Sequence, residues 1–333
     1  MTIIKFLLIS LIIGSTFVYS QDCNTGYTYH STLPDNVNNI NNDNNCFYDD
    51  DLNVLSDLIV LNDLDYTSPL EIGPQTWVSG RLVSWVVTFT PNGVNGVNQQ
   101  LTQLPENVGN LTNLSSLYLE WNILTQIPTS FSELTNLTNF AISNNYLTSL
   151  PNDFGELTSL VFLDLGYNQL TSIPESIGNL LNLEYLWLFN NQLSSVPESI
   201  CDIPLTWSGA DANNYPNFAI GGNELCDSEL IPCCIEVSDN FTISLDQFYY
   251  SFLVEVPQSC LDGSYYFGKE LGDLNGDGGF NVLDIVTLAN CVLAVNCADL
   301  EYGCAGDVNG DGNYNVLDIV TLANCVLAGN CGG

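Results

Sequence analysis

The chain has 333 residues, of which 38 are acidic and three are basic, so its formal charge is −35. This charge excludes binding to nucleic acids or anionic lipids, because both need lysine and arginine to replace their counterions. Hydrophobic residues make up 46% of the chain, which excludes an acidic disordered chain and predicts a folded protein. The acidity fits either calcium binding or simply a soluble acidic surface.

Residues 1–20 predict a secretory signal peptide. They contain one lysine, an apolar run through Ile13, and Val18 and Ser20 at the −3 and −1 places before Gln21. An uncleaved anchor is the weaker alternative, because the apolar run is shorter than the ~20 residues that a span needs. The 12 cysteines include no pair of CxxC units, which favours disulfides in an oxidising compartment. We therefore expect a secreted, extracellular protein without a membrane span after signal cleavage, with attachment to the cell surface as an alternative.

A 23-residue repeat occupies the middle of the chain. Asparagines recur at this interval, at Asn122, Asn145, Asn168 and Asn191, and prolines recur at Pro105, Pro128, Pro151, Pro174 and Pro197. The unit at residues 157–179 predicts a short strand with Leu163 and Leu165 pointing inward. Asn168 then turns the chain, and its amide is expected to bond backbone groups of adjacent coils. Four apolar residues at the same interval are expected to close the core on the outer wall: Phe131, Phe154, Ile177 and Ile200.

These units resemble the leucine-rich repeat family over residues 82–234. The pattern LxxLxxLxLxxNxLxxIP stays in register through four consecutive units. The resemblance implies an α/β solenoid with parallel strands on its concave face and irregular, disulfide-bonded end coils. In the N-terminal cap, residues 21–81, Cys23 and Cys46 are expected to pair ahead of an amphipathic helix near residues 52–61. The C-terminal cap is expected to hold Cys201, Cys226, Cys233 and Cys234.

Leucine-rich repeats have no catalytic machinery of their own, so their function lies in the outward residues of the strands. Seven aromatic residues fall on this predicted concave surface: Tyr118, Trp121, Phe162, Tyr167, Tyr185, Trp187 and Phe189. Such a cluster suits binding of a protein or stacking against sugar rings. In the alternative, the expanded last coil or the Asp- and Tyr-rich segment after it folds back and covers these rings.

A duplicated segment follows at residues 272–333. Residues 272–294 reappear at an offset of 34, and fourteen residues from Asn281 are identical in the two copies. Each copy begins with a twelve-residue D-x-N-x-D-G-x-x-N-x-x-D loop, whose alternation supplies the oxygen donors that calcium prefers. The sequence therefore predicts two Ca²⁺ ions. The ligands are expected to be Asp273, Asn275, Asp277, Gly279, Asn281 and Asp284 in one loop, and Asp307, Asn309, Asp311, Asn313, Asn315 and Asp318 in the other.

This doublet, a small all-α pair of loop–helix units, resembles the dockerin type I module. The resemblance implies a cohesin partner, although Val282-Leu283 and Val316-Leu317 stand where many family members carry small hydroxyl residues. These valines and leucines are expected either to pack between the two copies or to form a partner-binding patch. A core stripe is predicted at Ile285, Leu288, Val292, Ile319, Leu322 and Val326. Equivalence of the copies suggests disulfides Cys291–Cys297 and Cys325–Cys331, which leaves Cys260 to pair with Cys304. This is one of the fifteen pairings that six cysteines allow.

The sequence offers no material for an enzyme. His30 is the single histidine, so histidine-based triads and HExxH zinc sites are excluded. Residues 235–271, a linker or extended cap, are too short to supply a paired-carboxylate scaffold. The acidic run at residues 49–51 is expected to be a solvated loop, or less readily an extra calcium contact.

Taken together, these features predict a secreted, non-catalytic binding or adaptor protein. The repeats would recognise a protein or a glycan, and the dockerin-like doublet would provide calcium-dependent attachment. One alternative is a non-catalytic subunit of an extracellular, cellulosome-like assembly that degrades polysaccharides. Another is that the doublet is only a structural calcium cap.

Overall fold

The structure is a computed structural model that describes residues 23–42, 44–227, 230–248, 252–260, 263, 265–266, 268–297, 300, 302–309, 313–329 and 331. The predicted signal peptide lies outside these residues. One eight-stranded sheet runs through the N-terminal cap and the repeats, and three two-stranded ribbons accompany it in the described part of the chain. Two helices complete the C-terminal end.

The N-terminal cap contains four strands and one helix: β1 (Tyr27–Tyr29), β2 (Val37–Ile40), β3 (Cys46–Tyr48), α1 (Asp49–Leu61) and β4 (Gln75–Val78). Strand β5 (Arg81–Val86) follows as the first strand of the solenoid. Strands β1 and β3 form an antiparallel ribbon, whereas β2, β4 and β5 begin the large sheet. Phe47 and Trp77 pack edge to face beneath the helix, with ring centroids 4.9 Å apart. The predicted helix and the predicted Cys23–Cys46 disulfide are both confirmed.

The acidic run at residues 49–51 was expected to be a solvated loop, and this expectation is wrong. The run forms the first turn of α1, where negative charge is favoured by the helix dipole. Asp51 is buried and accepts two hydrogen bonds from Arg81, at 2.9 and 3.0 Å, and one from the backbone amide of Leu82 at 2.9 Å. Burial raises the pKa of Asp51, and the bonds from Arg81 act in the opposite direction. The ion pair therefore ties the helix to the first strand of the solenoid.

Five more strands carry the sheet through the repeats: β6 (Ser116–Tyr118), β7 (Asn139–Ala141), β8 (Phe162–Asp164), β9 (Tyr185–Trp187) and β10 (Phe218–Ala219). From β5 onward they pair in parallel, and β6 to β9 stay in register with the 23-residue period, as where Ser116 lies beside Asn139. The strand order is β10-β9-β8-β7-β6-β5-β4-β2. Short 3₁₀ turns include Pro69–Glu71, Val108–Asn110, Thr129–Glu133, Phe154–Glu156, Glu175–Asn179, Glu198–Asp202 and Gly303–Gly306. The predicted leucine-rich repeat solenoid is confirmed.

Each repeat turns at a buried asparagine whose side chain is fully used. The Nδ2 atom of Asn168 donates to the carbonyls of Leu165 (3.2 Å) and Ile142 (3.1 Å). Its Oδ1 atom accepts from the backbone amide of Leu147 at 3.0 Å. The same arrangement recurs at Asn122, Asn145, Asn191 and Asn223. The predicted amide ladder is therefore confirmed, as is the burial of the outer-wall residues Phe131, Phe154, Ile177 and Ile200.

The chain after the last repeat folds as a cap: α2 (Cys233–Glu236), β11 (Ile243–Leu245), β12 (Leu253–Glu255), β13 (Gln258–Ser259) and β14 (Tyr265–Tyr266). Disulfides join Cys201 to Cys234 and Cys226 to Cys260. The predicted pairing of Cys260 with Cys304 is therefore wrong. The reason is local, because the Ser259 amide donates to the carbonyl of Asn223 at 2.7 Å and so places the next residue beside the last coil.

The doublet consists of two loops, each followed by a helix: α3 (Val282–Ala294) and α4 (Val316–Ala328). Leu288 and Leu322 are buried at the centre, and the other members of the predicted stripe pack against them. The predicted Cys291–Cys297 and Cys325–Cys331 disulfides are confirmed. Among the described residues, no helix combines the length and the apolar character that crossing a bilayer requires.

Candidate functional sites

Residues 273–284, the first loop, curl around an aspartate at each end. Asp273 accepts a hydrogen bond from the backbone amide of Gly276 at 2.8 Å. Asp284 accepts one from the backbone amide of Asn281 at 2.9 Å. Both aspartate side chains are buried. Asp284 also accepts a hydrogen bond from the backbone amide of Leu274 at 3.1 Å, which brings the last predicted ligand next to the start of the loop.

The helix after each loop fixes the last two predicted ligands. The Oδ1 atom of Asn281 accepts from the backbone amide of Leu283 at 2.8 Å, while the Asn281 amide donates to Asp284. This reciprocal pair is a capping box, so the helix N-terminus and the loop end share the same side chains. Asn315 and Asp318 form the same box in the second copy, at 2.9 Å. The helix start therefore positions these donors independently of any ion.

The donors of the first loop fit a calcium ion. They are carboxylate, amide and carbonyl oxygens, and neither ion pair of the described residues involves the buried Asp273 or Asp284. The Nδ2 atom of Asn275 is buried without a hydrogen-bond partner. In the other amide orientation an oxygen takes its place, and the Asp277 amide still has Asp273 as an acceptor at 3.3 Å. A cation at this point would accept coordination from the Asn275 side-chain oxygen and balance the charge of the buried Asp273 and Asp284 carboxylates.

The second loop, residues 307–318, repeats this geometry as far as the structure describes it. Asp318 is buried and accepts from the backbone amide of Asn309 at 3.1 Å. The Nδ2 atom of Asn315 donates to the carbonyl of Asn313 at 3.1 Å. The predicted ligand Asp311 lies outside the described residues.

Both helices present the same apolar residues in their first turns, which overlap the last positions of the loops. Leu283 is 59% exposed and Leu317 is 58% exposed. Four valines are exposed beside them: Val282, Val286, Val316 and Val320. Of the two alternatives open from the sequence, the structure places these residues at the surface and not between the copies.

The concave face is open only in part. Trp187 is 5% exposed and Phe189 is 0% exposed, so the prediction that these two belong to an exposed binding surface is wrong. The indole N–H of Trp187 donates to the carbonyl of Pro216 at 2.8 Å, and its ring packs against Tyr215. Phe189 lies in one apolar cluster with Leu245. The expanded last coil and the segment after it therefore cover the C-terminal end of the face. The other predicted aromatics stay half-buried: Tyr118, Trp121, Phe162, Tyr167 and Tyr185.

Residues 243–248, the crossing segment, reach over the concave face toward earlier repeats. The hydroxyl of Tyr167 donates to the carbonyl of Leu245 at 2.7 Å. The side-chain amide of Gln247 donates to the Oδ1 atom of Asn144 at 2.8 Å. Sequence reasoning raised such a cover only as an alternative and did not place it. The local sequence signal for this cover is the alternation of apolar and polar residues through Phe241, Ile243 and Leu245, which is typical of a strand.

One carboxyl group on the open part of the concave face, that of Glu120, is half-buried. The hydroxyl of Thr88 donates a hydrogen bond to Glu120. Burial raises the pKa of Glu120, and the bond from Thr88 acts in the opposite direction. Glu120 therefore takes up a proton more readily than an exposed glutamate does.

A buried ion pair lies within the C-terminal cap, next to the doublet. The Nζ atom of Lys269 lies 3.2 Å from the carboxylate of Glu236, and both side chains are almost wholly buried. Lys269 also lies over the ring of Tyr302, 5.2 Å from its centroid. A cleft of about 760 Å³ separates Trp207 of the cap from Asp307 of the second loop. The second predicted calcium loop thus faces the end of the solenoid.

Comparison with protein families assigns the repeats and the doublet. Residues 112–170 match the family model for the leucine rich repeat, and residues 158–201 match that for leucine rich repeats in two copies. Residues 271–327 match the dockerin type I domain, a family that binds calcium. No curated protein sequence matches the chain.

Several solved structures resemble parts of the chain. A leucine-rich repeat protein of Leptospira interrogans is 29% identical over 42% of this chain and 39% of that chain, with a TM-score of 0.35. A plant ice-binding protein is 21% identical over 58% of this chain and 62% of that chain, with a TM-score of 0.44. The leucine-rich repeat ectodomain of an Arabidopsis thaliana receptor kinase is 21% identical over 56% of this chain and 96% of that chain, with a TM-score of 0.42. The chain spans less than two thirds of the first two structures. By the family models, the chain joins leucine-rich repeats to a C-terminal dockerin type I domain.

Proposed function

We propose that the chain is a secreted, non-catalytic adaptor whose doublet attaches it to an extracellular protein and whose repeats recognise a second ligand. The observation that carries this proposal is the duplicated apolar surface behind the two loops. Exposed leucines and valines in the same places on both helices are costly in water and suit a protein partner. Leucine-rich repeats and dockerin domains are typically non-catalytic, and the disulfides agree with an extracellular location.

Calcium is proposed to order both loops, one ion in each. A bound ion would supply the positive charge that the clustered aspartates lack. The donors proposed are the twelve loop residues predicted from the sequence, with Gly279 and Asn313 acting through their backbone carbonyls. Ligand binding to the folded state alone stabilises it by mass action, so attachment should depend on free calcium.

The partner is proposed to be a cohesin-like protein, and a binding experiment tests this. Immobilised full-length protein is offered a panel of cohesin domains in calcium and then in chelator. The variant Leu283→Ser, Leu317→Ser removes the centre of both apolar surfaces and leaves all twelve proposed calcium donors in place. Leu181→Ser is the matched control, because Leu181 is 57% exposed on the solenoid.

Retention in calcium, release by chelator and loss in the double variant alone are the expected results. If nothing is retained while the doublet still folds on calcium, the doublet is a structural cap and the adaptor proposal fails. Retention that survives chelation would likewise place attachment elsewhere in the chain.

A further inference from the structure

A cleft of about 460 Å³ lies along one edge of the concave face, where the repeats turn. Every residue that lines it in the described part of the chain is Asn, Gln, Tyr or Trp. In a chain with a formal charge of −35, a lining without any carboxylate is a distinct chemical environment. The cleft therefore suits a ligand without charge, because an ion there would find no partner of opposite sign.

Two aromatic residues in the cleft stand where the backbone disfavours them. Trp121, Asn144, Tyr167 and Asn190 precede the ladder asparagines, and all have left-handed backbone, with φ of 63°, 57°, 51° and 51°. Asparagine accepts this conformation readily, whereas a bulky side chain adopts it only under strain. Strain of this kind concentrates at functional sites, where the side chain serves a purpose beyond folding. The rings of Trp121 and Tyr167 thus point to a ligand.

The spacing of these rings sets the form of the ligand. Trp121 and Tyr167 are two repeats apart, which corresponds to about 10 Å at the usual distance between neighbouring strands. That is the length of a disaccharide unit in an extended β-linked glycan. Flat rings stack against the C–H faces of sugars, and amides both donate to and accept from sugar hydroxyls.

The cleft is held in shape before a ligand arrives. Tyr167 is anchored by its bond to the crossing segment, and Gln247 of that segment forms one wall. Phe248 stacks on Trp121 with ring centroids 5.4 Å apart and an interplanar angle of 23°. Tyr146 is 49% exposed at the same cleft. Fixed rings lose little conformational freedom on binding, which favours affinity.

We infer that this cleft binds a neutral, extended oligosaccharide. The inference rests on the proposed function, since it takes the repeats as the recognising half of the adaptor. A peptide is the less favoured ligand, because no aliphatic side chain among the described residues lines the cleft to receive its apolar groups.

Calorimetric titration of the full-length, calcium-loaded protein tests the inference. The probes are neutral hexasaccharides of β-linked glucose, xylose and mannose, with an anionic galacturonate hexasaccharide for comparison. Trp121→Asn installs the residue that two other repeats carry at this place, so the fold is retained while the ring is lost. Tyr29→Ala is the control, because Tyr29 is an exposed aromatic residue on the N-terminal cap.

At least one neutral hexasaccharide is expected to bind, and Trp121→Asn is expected to weaken it about tenfold. The control variant and added chelator should leave this binding unchanged, which separates it from attachment through the doublet. Binding to none of the neutral probes, equal binding by Trp121→Asn, or preference for the anionic probe would overturn the inference. Binding of a neutral peptide library, with none of the hexasaccharides bound, would assign the cleft to a peptide.

Discussion

The repeats and the doublet both bury a polar side chain at each turn of the chain, but they satisfy it differently. In the repeats it is a neutral amide, and Asn168 donates to neighbouring carbonyls while accepting from the Leu147 amide. In the doublet it is a carboxyl group, and Asp284 accepts from the amides of Leu274 and Asn281. An amide closes such a turn within the protein alone. A buried carboxylate leaves a charge that another group must balance.

The two regions also differ in their hydrophobic cores. One continuous core extends from Phe47 in the N-terminal cap to Phe241 in the C-terminal cap. The doublet has a separate, much smaller set of buried residues: Leu274, Leu288, Cys291, Cys297 and Leu322. A core of that size needs additional restraints such as disulfides or a metal ion. The solenoid is therefore stabilised by its own hydrophobic packing. The doublet is expected to depend in addition on its disulfides and on a bound metal ion.

Removal of calcium by a chelator should show the difference in stability between the two regions most clearly. It should unfold the doublet and leave the solenoid folded. Helices α3 and α4 have 13 residues each, against 13 in α1 and 4 in α2. All 5 tryptophans lie before residue 208. Far-ultraviolet circular dichroism should therefore lose more than half of its helical signal in chelator. Tryptophan emission should keep its folded spectrum apart from the contribution of Trp207, which lines the cleft that faces the second loop.

The variant Asp273→Asn, Asp307→Asn provides the matched control for chelation. It should show the same partial loss even in calcium, because it removes one carboxylate from each loop. Full helical signal in chelator would contradict the conditional stability of the doublet, and a joint loss of tryptophan signal would contradict the independence of the solenoid.

Asn168→Ala should lower the free energy of unfolding by about 3 kcal/mol, since it leaves the buried Leu147 amide without an acceptor. It also removes one of the two hydrogen bonds that the carbonyls of Ile142 and Leu165 each accept. Urea unfolding followed by tryptophan emission measures the change. Asn182→Ala is the control, because the Asn182 side chain bonds to a carbonyl at 2.8 Å but lies at the surface. If Asn168→Ala and Asn182→Ala lowered the free energy of unfolding equally, the asparagine ladder would not be what stabilises the repeats.

Lys269→Met should destabilise the C-terminal cap by about 3 kcal/mol, because it leaves the carboxylate of Glu236 buried without its partner. The loss measures how far the cap depends on this one ion pair. Glu236→Gln in the same chain should restore most of the stability, which a double-mutant cycle in urea would quantify. Absence of rescue would mean that Lys269 acts through packing alone.

Glu120→Gln should give the smallest change, a gain of about 1 kcal/mol at neutral pH. Because the pKa of Glu120 is raised in the folded state, its contribution to stability is present at low pH. That contribution is lost as the pH rises from the ordinary glutamate value of about 4.3 through the raised value. Glutamine still accepts from Thr88 and removes this decline, which unfolding at a series of pH values would detect.

Glu71→Gln tests the opposite direction of pKa shift, by the same unfolding measurements at a series of pH values. The backbone amide of Thr67 holds the pKa of Glu71 below its usual range. Its contribution is therefore present above the ordinary value and lost as the pH falls, so this variant should lose stability at neutral pH. If both Glu120→Gln and Glu71→Gln raised the free energy of unfolding at neutral pH, the opposite directions given for the two pKa shifts would be contradicted.

Periodic features of this fold could be predicted from the sequence because each residue meets the same surroundings in every copy. The amide ladder at Asn168 and the core residues Leu288 and Leu322 follow from this regularity. The same holds for Cys291–Cys297, whose six-residue separation recurs in the second copy. Repetition thus supplied several independent observations of one local structure.

Contacts between segments far apart in the chain could not be predicted in this way. The burial of Trp187 and Phe189 depends on Leu245, which belongs to no repeat. The Cys226–Cys260 bond depends on the hydrogen bond between Ser259 and the Asn223 turn. Asp51 was expected in solvent because its partner Arg81 is 30 residues away. Each case is a single long-range event without a second copy to reveal it.

The two ion pairs have a consequence for proteolysis. Trypsin cuts after lysine and arginine, and beyond residue 20 the chain offers only Arg81 and Lys269. Arg81 is bound to Asp51 within the sheet, and Lys269 is buried against Glu236. A protease needs an extended, accessible backbone, so each cut requires local opening of its own region. The protein thus carries two natural cleavage reporters, one for breathing of its N-terminal end and one for separation of the doublet from the solenoid.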